Sequence, residues 1–376
     1  MRIVIVSNGN VTVRGTRFCS HKQLCEFLAE LISYGNTVEY AALALPEESE
    51  KVKNLADHEI PEKVILRPFQ PKQTCSLLSL PFVMAKLVFS VFMMTVKADF
   101  VYIYYPGALG TLFMACCRLM KRPYGLYVRG ELGASRKHVA AIKNAAFIFA
   151  TGVFIVHRVW PECRNCEEVA PMSEVFNREP CEAKIPVPGD NLRILFVGRC
   201  EYAKGVFELL AAVKMLIERK YRFRLVLVGA YGRDVVDKIK VLGISEYVEL
   251  AGLVSGAAKL DEIYDRADIF CLPSHTEGFP RVLYEAMAHS LPIVTTMVGS
   301  IPSRMCDEDN SLGIEVKNPE SIADVLERLI ADYSLRKRLA IASYATFEDC
   351  RKKFRNNSHA KQLTQKLREF YADVAE

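Results

Sequence analysis

Residues 268–296 read DIFCLPSHTEGFPRVLYEAMAHSLPIVTT. The apolar run Asp268 to Leu272 stops at Pro273, and a polar loop containing Gly278 follows. Pro280 then opens a stretch with helical spacing, which Leu291-Pro292 ends, and Ile293 to Thr296 is a second apolar, β-branched run. This order predicts strand, loop, helix, strand. Pro280 suits the first turn of a helix, where a missing N–H costs nothing. The free N–H groups there suit an anion such as a phosphate. Glu277 sits in the loop and Glu285 early on the helix. Helical side chains lean toward the N-terminus, so Glu285 can reach back toward a ligand held at the loop.

A second stretch, FVGRCEYAKG from Phe196 to Gly205, ends a strand at Val197 and carries Arg199 and Lys204 before the next helix. Two cations in one strand-to-helix loop suit a diphosphate, because each makes charge-assisted hydrogen bonds to its oxygens. Together these stretches resemble the retaining glycosyltransferases of the GT-B fold, family 4. The resemblance rests on Glu277-Gly278-Phe279-Pro280 followed by Glu285-Ala286-Met287-Ala288, with seven residues between the two glutamates. It covers most of residues 192–332 and, loosely, the first part of the chain.

The resemblance implies two Rossmann-like parallel-sheet domains facing across a cleft. Arg199 and Lys204 would hold the leaving diphosphate of a nucleotide sugar, and Glu277 would contact the donor sugar. The N–H groups of Gly278 and Phe279 and the Pro280 turn would surround it, and Glu285 would bind the ribose hydroxyls. Gly198 belongs to the cationic loop. Leu250 to Val254 resembles the segment whose backbone contacts the base, which makes Val254 a donor-side candidate. In the first domain, Asn8-Gly9-Asn10 stands where many members have a glycine pair, leaving Gly9 as the donor-side candidate. Tyr127-Val128-Arg129-Gly130-Glu131 puts Arg129 where many have histidine. Arginine is a poor proton acceptor but binds phosphate or sugar, so Arg129 is the acceptor-side candidate.

Composition is compatible with this reading. The 376 residues suggest two domains, with 51% hydrophobic and 25% charged residues. A net charge of +5 does not call for nucleic acid. Twelve scattered cysteines form no framework, and Cys163 and Cys166 lack the second pair a zinc site usually needs. Cys181 and His157 lie near in sequence, but free thiols in a reducing cytosol are the expected reading. Asp307-Glu308-Asp309 has acidic spacing but sits in a polar loop, and is read as solvated surface. Fixed cations and helix N–H groups can stabilise a leaving diphosphate, so no metal and no cofactor are expected.

Met1-Arg2 leads at once into Ile3 to Val6, a run too short for a signal-peptide core. A cytoplasmic protein is therefore expected. Leu77 to Val96 approaches the length of a membrane span but is interrupted by Pro81 and Lys86. A buried helix is the expected reading, with an interfacial helix at the inner face of the cytoplasmic membrane as the alternative. Arg14, Arg17 and Lys22 would favour such contact.

Along the chain, strands are expected at 2–7, 37–43, 64–67, 100–105, 124–128, 153–156 and 168–170. Helices are expected at 18–31, 77–96, 109–120 and 135–146. The stretch 177–192, with three prolines and a Gly-Asp pair, reads as a linker. After it, strands are expected at 192–197, 222–228, 248–250, 293–296 and 313–316. Helices are expected at 206–218, 235–242, 259–265, 319–332 and through the C-terminal stretch 335–375. This gives an acceptor-binding domain at 1–180 and a nucleotide-sugar-binding domain at 191–354. The resemblance implies that a last helix, about 355–376, packs back on the first domain.

The expected function is transfer of a sugar, with retention, from a nucleotide-diphosphate sugar to a glycan or lipid-linked glycan acceptor, as in surface polysaccharide assembly. A UDP-sugar is favoured and a GDP-sugar is the second choice. The rivals are a GT-B nucleotide-sugar epimerase and a non-catalytic nucleotide-sugar or membrane-binding module. Glycoside hydrolysis by the paired carboxylates fits less well beside the diphosphate-type cations.

Overall fold

The computed structural model describes residues 1–14, 17–46, 58–69, 80–129, 132, 136–152, 154–157, 159–161, 163–177, 182–186, 191–254 and 256–375. The chain divides into two compact units, one of Met1–Ser173 with Asn356–Glu376 and one of Glu174–Arg355.

The first unit contains β1 (Arg2–Arg14), β2 (Arg17–Ser20), α1 (Lys22–Ser33), β3 (Thr37–Pro46), β4 (His58–Glu59) and β5 (Ile65–Phe69). There follow α2 (Leu80–Lys97), β6 (Phe100–Tyr105), α3 (Ala108–Leu119), β7 (Tyr124–Val128), α4 (Arg136–Lys143), β8 (Phe147–Ala150), α5 (Phe154–His157) and β9 (Cys166–Glu168). Parallel pairing gives the order β5-β3-β1-β6-β7-β8-β9. β2 runs antiparallel along the end of β1, and β4 pairs antiparallel with β2. The apolar strands are buried because helices cover both faces. Ile103, Leu126 and Ile148 join one core cluster, while Tyr102, Tyr127 and Phe149 join another on the opposite face.

Local differences from the sequence reading have physical causes. The strand expected at 2–7 runs on through Asn8-Gly9-Asn10, a triplet of turn composition, as part of β1, where the pairing register with β3 shifts between Val6 and Asn10. An irregularity in a strand carries the same glycine-rich composition as a turn. The expected strand at 153–156 is replaced by helix α5, and the strand is β8, just upstream. Short apolar runs do not distinguish the two states by periodicity. Residues 77–79, Ser135, Val153, Cys181 and much of the 177–192 linker lie outside the described residues.

The second unit begins with a 3-10 turn, Glu174–Asn177, and contains β10 (Leu192–Val197), α6 (Val206–Glu218), β11 (Phe223–Val228), α7 (Arg233–Leu242) and β12 (Val248–Gly252). It continues with α8 (Ala257–Asp265), β13 (Ile269–Leu272), α9 (Arg281–Ala288), β14 (Ile293–Thr296), β15 (Leu312–Ile314), α10 (Pro319–Ala331) and α11 (Tyr333–Phe354). Its sheet is wholly parallel, ordered β12-β11-β10-β13-β14-β15. The order reverses between β10 and β13. In open parallel sheets a crevice opens at this switch point, beyond the carboxyl ends of the strands.

The C-terminal stretch breaks into α11 and α12 (His359–Ala375). α12 lies in the first unit, where Ala360, Leu363 and Leu367 share a buried cluster with Leu24, Phe27, Leu28 and Leu31 of α1. His359 is buried against Phe27 and Tyr127 and hydrogen-bonds the Tyr102 hydroxyl at 2.7 Å. Burial pulls its pKa down from 6.5 to about 3. The unfolded chain therefore takes up a proton near 6.5 that the folded chain refuses, so stability rises with pH through this window and levels off above it. The expected contribution is about 1.4 kcal/mol per pH unit. Urea unfolding of wild type and His359→Gln between pH 4.5 and 7 checks it: the substituted protein should show a flatter dependence by that amount. Equal slopes would remove His359 as the cause.

Candidate functional site

The site in the second unit is built from the loops that follow β10 and β13, the two strands flanking the switch point. After β10 the chain passes Gly198 and Arg199 and forms a 3-10 turn, Tyr202–Lys204, before Gly205 starts α6. After β13 it runs through Pro273, Ser274, His275 and Glu277 to Pro280, the N-cap of α9. The His275 amide donates to the Ala203 carbonyl at 3.0 Å, joining the loops.

Glycine allows backbones to meet here. Gly205 has φ +69°, and a Cβ on it would lie 2.0 Å from the Pro273 carbonyl oxygen. Gly299, with φ +58°, would place one 1.8 Å from the Glu277 carbonyl oxygen. A side chain at either position is strained by its backbone angle and blocked by main chain. The Ser300 amide adds a hydrogen bond to the Gly278 carbonyl at 3.1 Å, so the segment after β14 braces the Glu277 turn.

At the centre, the Lys204 ammonium contacts Glu277 Oε1 at 2.5 Å, and the Ser274 hydroxyl donates to the same oxygen at 2.8 Å. The Lys204 and Glu277 side chains are 21% and 9% exposed, so the pair is only partly screened by water. An ammonium has three protons, and one contact leaves two for a phosphate. Arg199 is mostly exposed and meets Glu201 at 2.9 Å. The structure therefore joins Lys204 to Glu277, whereas the Arg199 guanidinium pairs within its own loop.

Gly198 donates its amide to the Val228 carbonyl at 2.9 Å, and Val254 follows β12, half-buried. The Phe279 side chain is buried against Tyr284, and Arg304 lies over both rings while its Nε donates to the Tyr284 hydroxyl at 2.8 Å. Phe279 can thus offer a ligand its backbone but not its ring. Glu285 is half-buried on α9, where Oε2 accepts a hydrogen bond from the Tyr264 hydroxyl at 2.9 Å. Burial raises its pKa, against the opposing effects of Tyr264, Arg281 and His289. Neither Tyr264 nor Arg304 stands out in the sequence, because no local spacing links them to the loops they support.

Gly9 and Arg129 belong to the first unit. Arg129 lies just past β7, exposed, with its guanidinium 5.0 Å from the centre of the Tyr104 ring and 5.7 Å from that of Tyr127. Gly130 and Glu131 lie outside the described residues. In the Asp307-Glu308-Asp309 loop, Glu308 pairs with Arg328 at 2.8 Å and Asp307 accepts from the Gly313 amide at 2.6 Å. Among the described residues no group of three histidine, cysteine or acidic side chains is arranged to hold a metal ion.

Two parallel α/β units, the second with a switch-point site of this make-up, define a protein of GT-B type architecture. Solved structures share the fold over nearly the whole chain. Sucrose-phosphate synthase from Thermosynechococcus elongatus superposes with TM-score 0.71, 16% identity and 99% coverage of both chains. Anabaena HepE, solved with UDP and glucose, gives TM-score 0.68 and 15% identity over 99% of this chain and 100% of its own. Residues 177–346 match the family described as Glycosyl transferases group 1. An uncharacterized glycosyltransferase of Methanocaldococcus jannaschii is 36% identical over 155 residues, 41% of this chain and 39% of its own. D-inositol 3-phosphate glycosyltransferase of Xylanimonas cellulosilytica is 33% identical over 179 residues, 46% of this chain and 42% of its own. The capsular polysaccharide biosynthesis glycosyltransferase CapM of Staphylococcus aureus is 28% identical over 151 residues, 40% of each chain. The matched region thus spans about two-fifths of the length of these curated relatives.

Proposed function

We propose that the protein is a retaining glycosyltransferase of family 4 type that uses a nucleotide-diphosphate sugar, with no metal ion required. The observation that carries this reading is the meeting of Lys204, Ser274 and Glu277 at the switch point, within the region that matches the glycosyltransferase family. As the sugar–phosphate bond breaks, negative charge grows on the departing diphosphate. Lys204, with two protons to spare, and Arg199 neutralise that charge, and the amides at the start of α9 add to it. Glu277, held by Lys204 and Ser274, faces the donor sugar. Glu285 accepts hydrogen bonds from the ribose. Arg129, braced on two tyrosine rings, serves the acceptor side, and the departing phosphate takes the acceptor's proton. The complexes of HepE with UDP and with UDP-glucose support a UDP-sugar donor. The CapM relative supports a polysaccharide acceptor.

A screen of nucleoside diphosphates by thermal shift tests the donor half. One of UDP or GDP should raise Tm, by about 2.7 kcal/mol of stabilisation at a hundredfold excess over Kd. No shift with any of them would sink the reading. Incubation of the donor alone separates transfer from the epimerase alternative: an epimer formed without acceptor favours the latter.

Membrane contact at the inner face of the cytoplasmic membrane is part of the proposal, because α2 is not wholly buried. Phe82 and Phe89 are 79% and 65% exposed, and Met84 and Val88 are also exposed. Phe82 and Phe89 are seven residues apart, two turns along one side of the helix, and Lys86 is exposed beside them. Aromatic side chains with a flanking cation suit the surface of an anionic bilayer. Among the described residues no helix is long and apolar enough to cross a membrane. Vesicles containing anionic lipid should float with wild type and lose Phe82→Ser/Phe89→Ser. Equal flotation of the two, or none by either, would exclude α2 as the contact.

A further inference from the structure

We infer that Tyr264 is a positioning residue that presents the Glu285 carboxylate to the ribose of the nucleotide, through a hydrogen bond made from the neighbouring helix α8. The inference rests on the donor-site reading given above. Tyr264 is fully buried and its hydroxyl donates to Glu285 Oε2 at 2.9 Å. Glu285 Oε1 has no hydrogen-bond partner among the described residues. One oxygen is thus pinned and the other is available to accept. A carboxylate has room for about four hydrogen bonds, so this one can take the two hydroxyls of a vicinal diol.

The tyrosine is itself held. Its ring stacks on His289, with centres 5.0 Å apart and planes 15° from parallel. His289 caps the C-terminus of α9 one turn beyond Glu285, its amide bonded to the Glu285 carbonyl at 3.2 Å. Its ring is 4% exposed, with Nδ1 2.8 Å from Asp265 and Nε2 3.2 Å from Asp261, both on α8. Phe270 of β13 is a second ring neighbour of Tyr264, with centres 6.0 Å apart. Helices α8 and α9 are therefore joined at two successive turns, by Tyr264 to Glu285 and by the aspartates to His289. A carboxyl on α9 alone is free to rotate about its side-chain bonds. The contact from α8 fixes one rotamer before ligand arrives, which removes an ordering cost from binding.

The groups facing Glu285 also set its charge. Tyr264, Arg281 and His289 favour the carboxylate, while burial and Asp261 oppose it. Loss of the Tyr264 hydroxyl leaves burial less opposed, so the carboxyl protonates at higher pH. Binding that needs the carboxylate then requires a higher pH as well.

Calorimetry with UDP, GDP and their 2′-deoxy forms on wild type, Tyr264→Phe and Glu285→Gln tests this. Wild type should bind the ribonucleotide about tenfold more tightly than its 2′-deoxy form, the scale of a lost hydrogen bond to a charged group. Tyr264→Phe should reduce that ratio to below about threefold. Its affinity for the 2′-deoxy form, which keeps the 3′-hydroxyl, should fall by less than that for the ribonucleotide, and the pH at which binding falls away should be higher. An unchanged ratio and pH profile in Tyr264→Phe would overturn the positioning role. Should that variant fail to fold, Asp265→Asn, at an exposed position, should lower the ratio in the same direction, and an unaltered ratio there overturns the role too. A wild type that binds no nucleotide, or a Glu285→Gln that keeps full ribose discrimination, defeats the donor-site reading itself.

Discussion

Lys204→Ala should lower turnover by about a hundred- to a thousandfold, the scale of losing one donor to a developing anion. Lys204 contacts Glu277 at 2.5 Å, and among the described residues that carboxylate oxygen retains only the Ser274 hydroxyl once the ammonium is gone. The charge on the diphosphate grows as the bond to the sugar breaks, so the loss falls mainly on kcat, and KM for the donor changes less. Steady-state release of the nucleoside diphosphate, measured with the nucleotide sugar that wild type turns over, checks the split. Lys204→Arg keeps the charge but spreads it over a plane, and should recover part of the rate. A Lys204→Ala enzyme within threefold of wild type would remove Lys204 from the chemistry.

Gly205→Ala should be nearly as damaging, by another route. The residue sits at φ +69° and its Cβ would fall 2.0 Å from the Pro273 carbonyl oxygen. The left-handed angle costs an L-residue about 1–2 kcal/mol, and the forced backbone shift adds about 1–3 kcal/mol. A unit of this size loses about 2–4 °C of Tm per kcal/mol, so a fall on the order of 10 °C is expected. The shift also separates the loop of Lys204 from that of Glu277, so activity should drop even well below the melting point. Calorimetric melting and turnover at low temperature measure the two effects. A variant that melts with wild type and keeps its rate would show that the loops do not depend on this contact.

Much of the second unit was legible because its signals are local. β10, α6 and β14 occupy the stretches 192–197, 206–218 and 293–296 expected from apolar runs and their terminators. The carboxylate and cation loops could be read because each fits within a short window. The first unit was less legible where runs were short: FIFA became β8 and FIVH became helix α5. Phe18 to Ser20, expected as the start of a helix over 18–31, lie in β2, and α1 begins only at Lys22; β4 was not expected, since four-residue and two-residue strands pairing antiparallel leave almost no periodic trace. The apolar helix expected to be buried has a buried second half, with Val91 and Met94 in the core, while Phe82 and Phe89 stand exposed. Hydrophobicity alone does not tell which part of a long apolar helix the sheet will cover.

The sequence by itself determined the alternation of strand and helix, the break into two sheets, and the two loops bearing Arg199, Lys204, Glu277 and Glu285. These follow from spacing and terminators within about twenty residues. Only the tertiary structure decided that Lys204 meets a carboxylate seventy-three positions away, while Arg199 pairs within its own loop. It also decided that a tyrosine on the preceding helix holds Glu285. Those meetings depend on β10 and β13 lying side by side, and on glycines that let main chains touch. Strand adjacency is a long-range pairing settled by burying both faces of the sheet at once, and no short window of residues contains it.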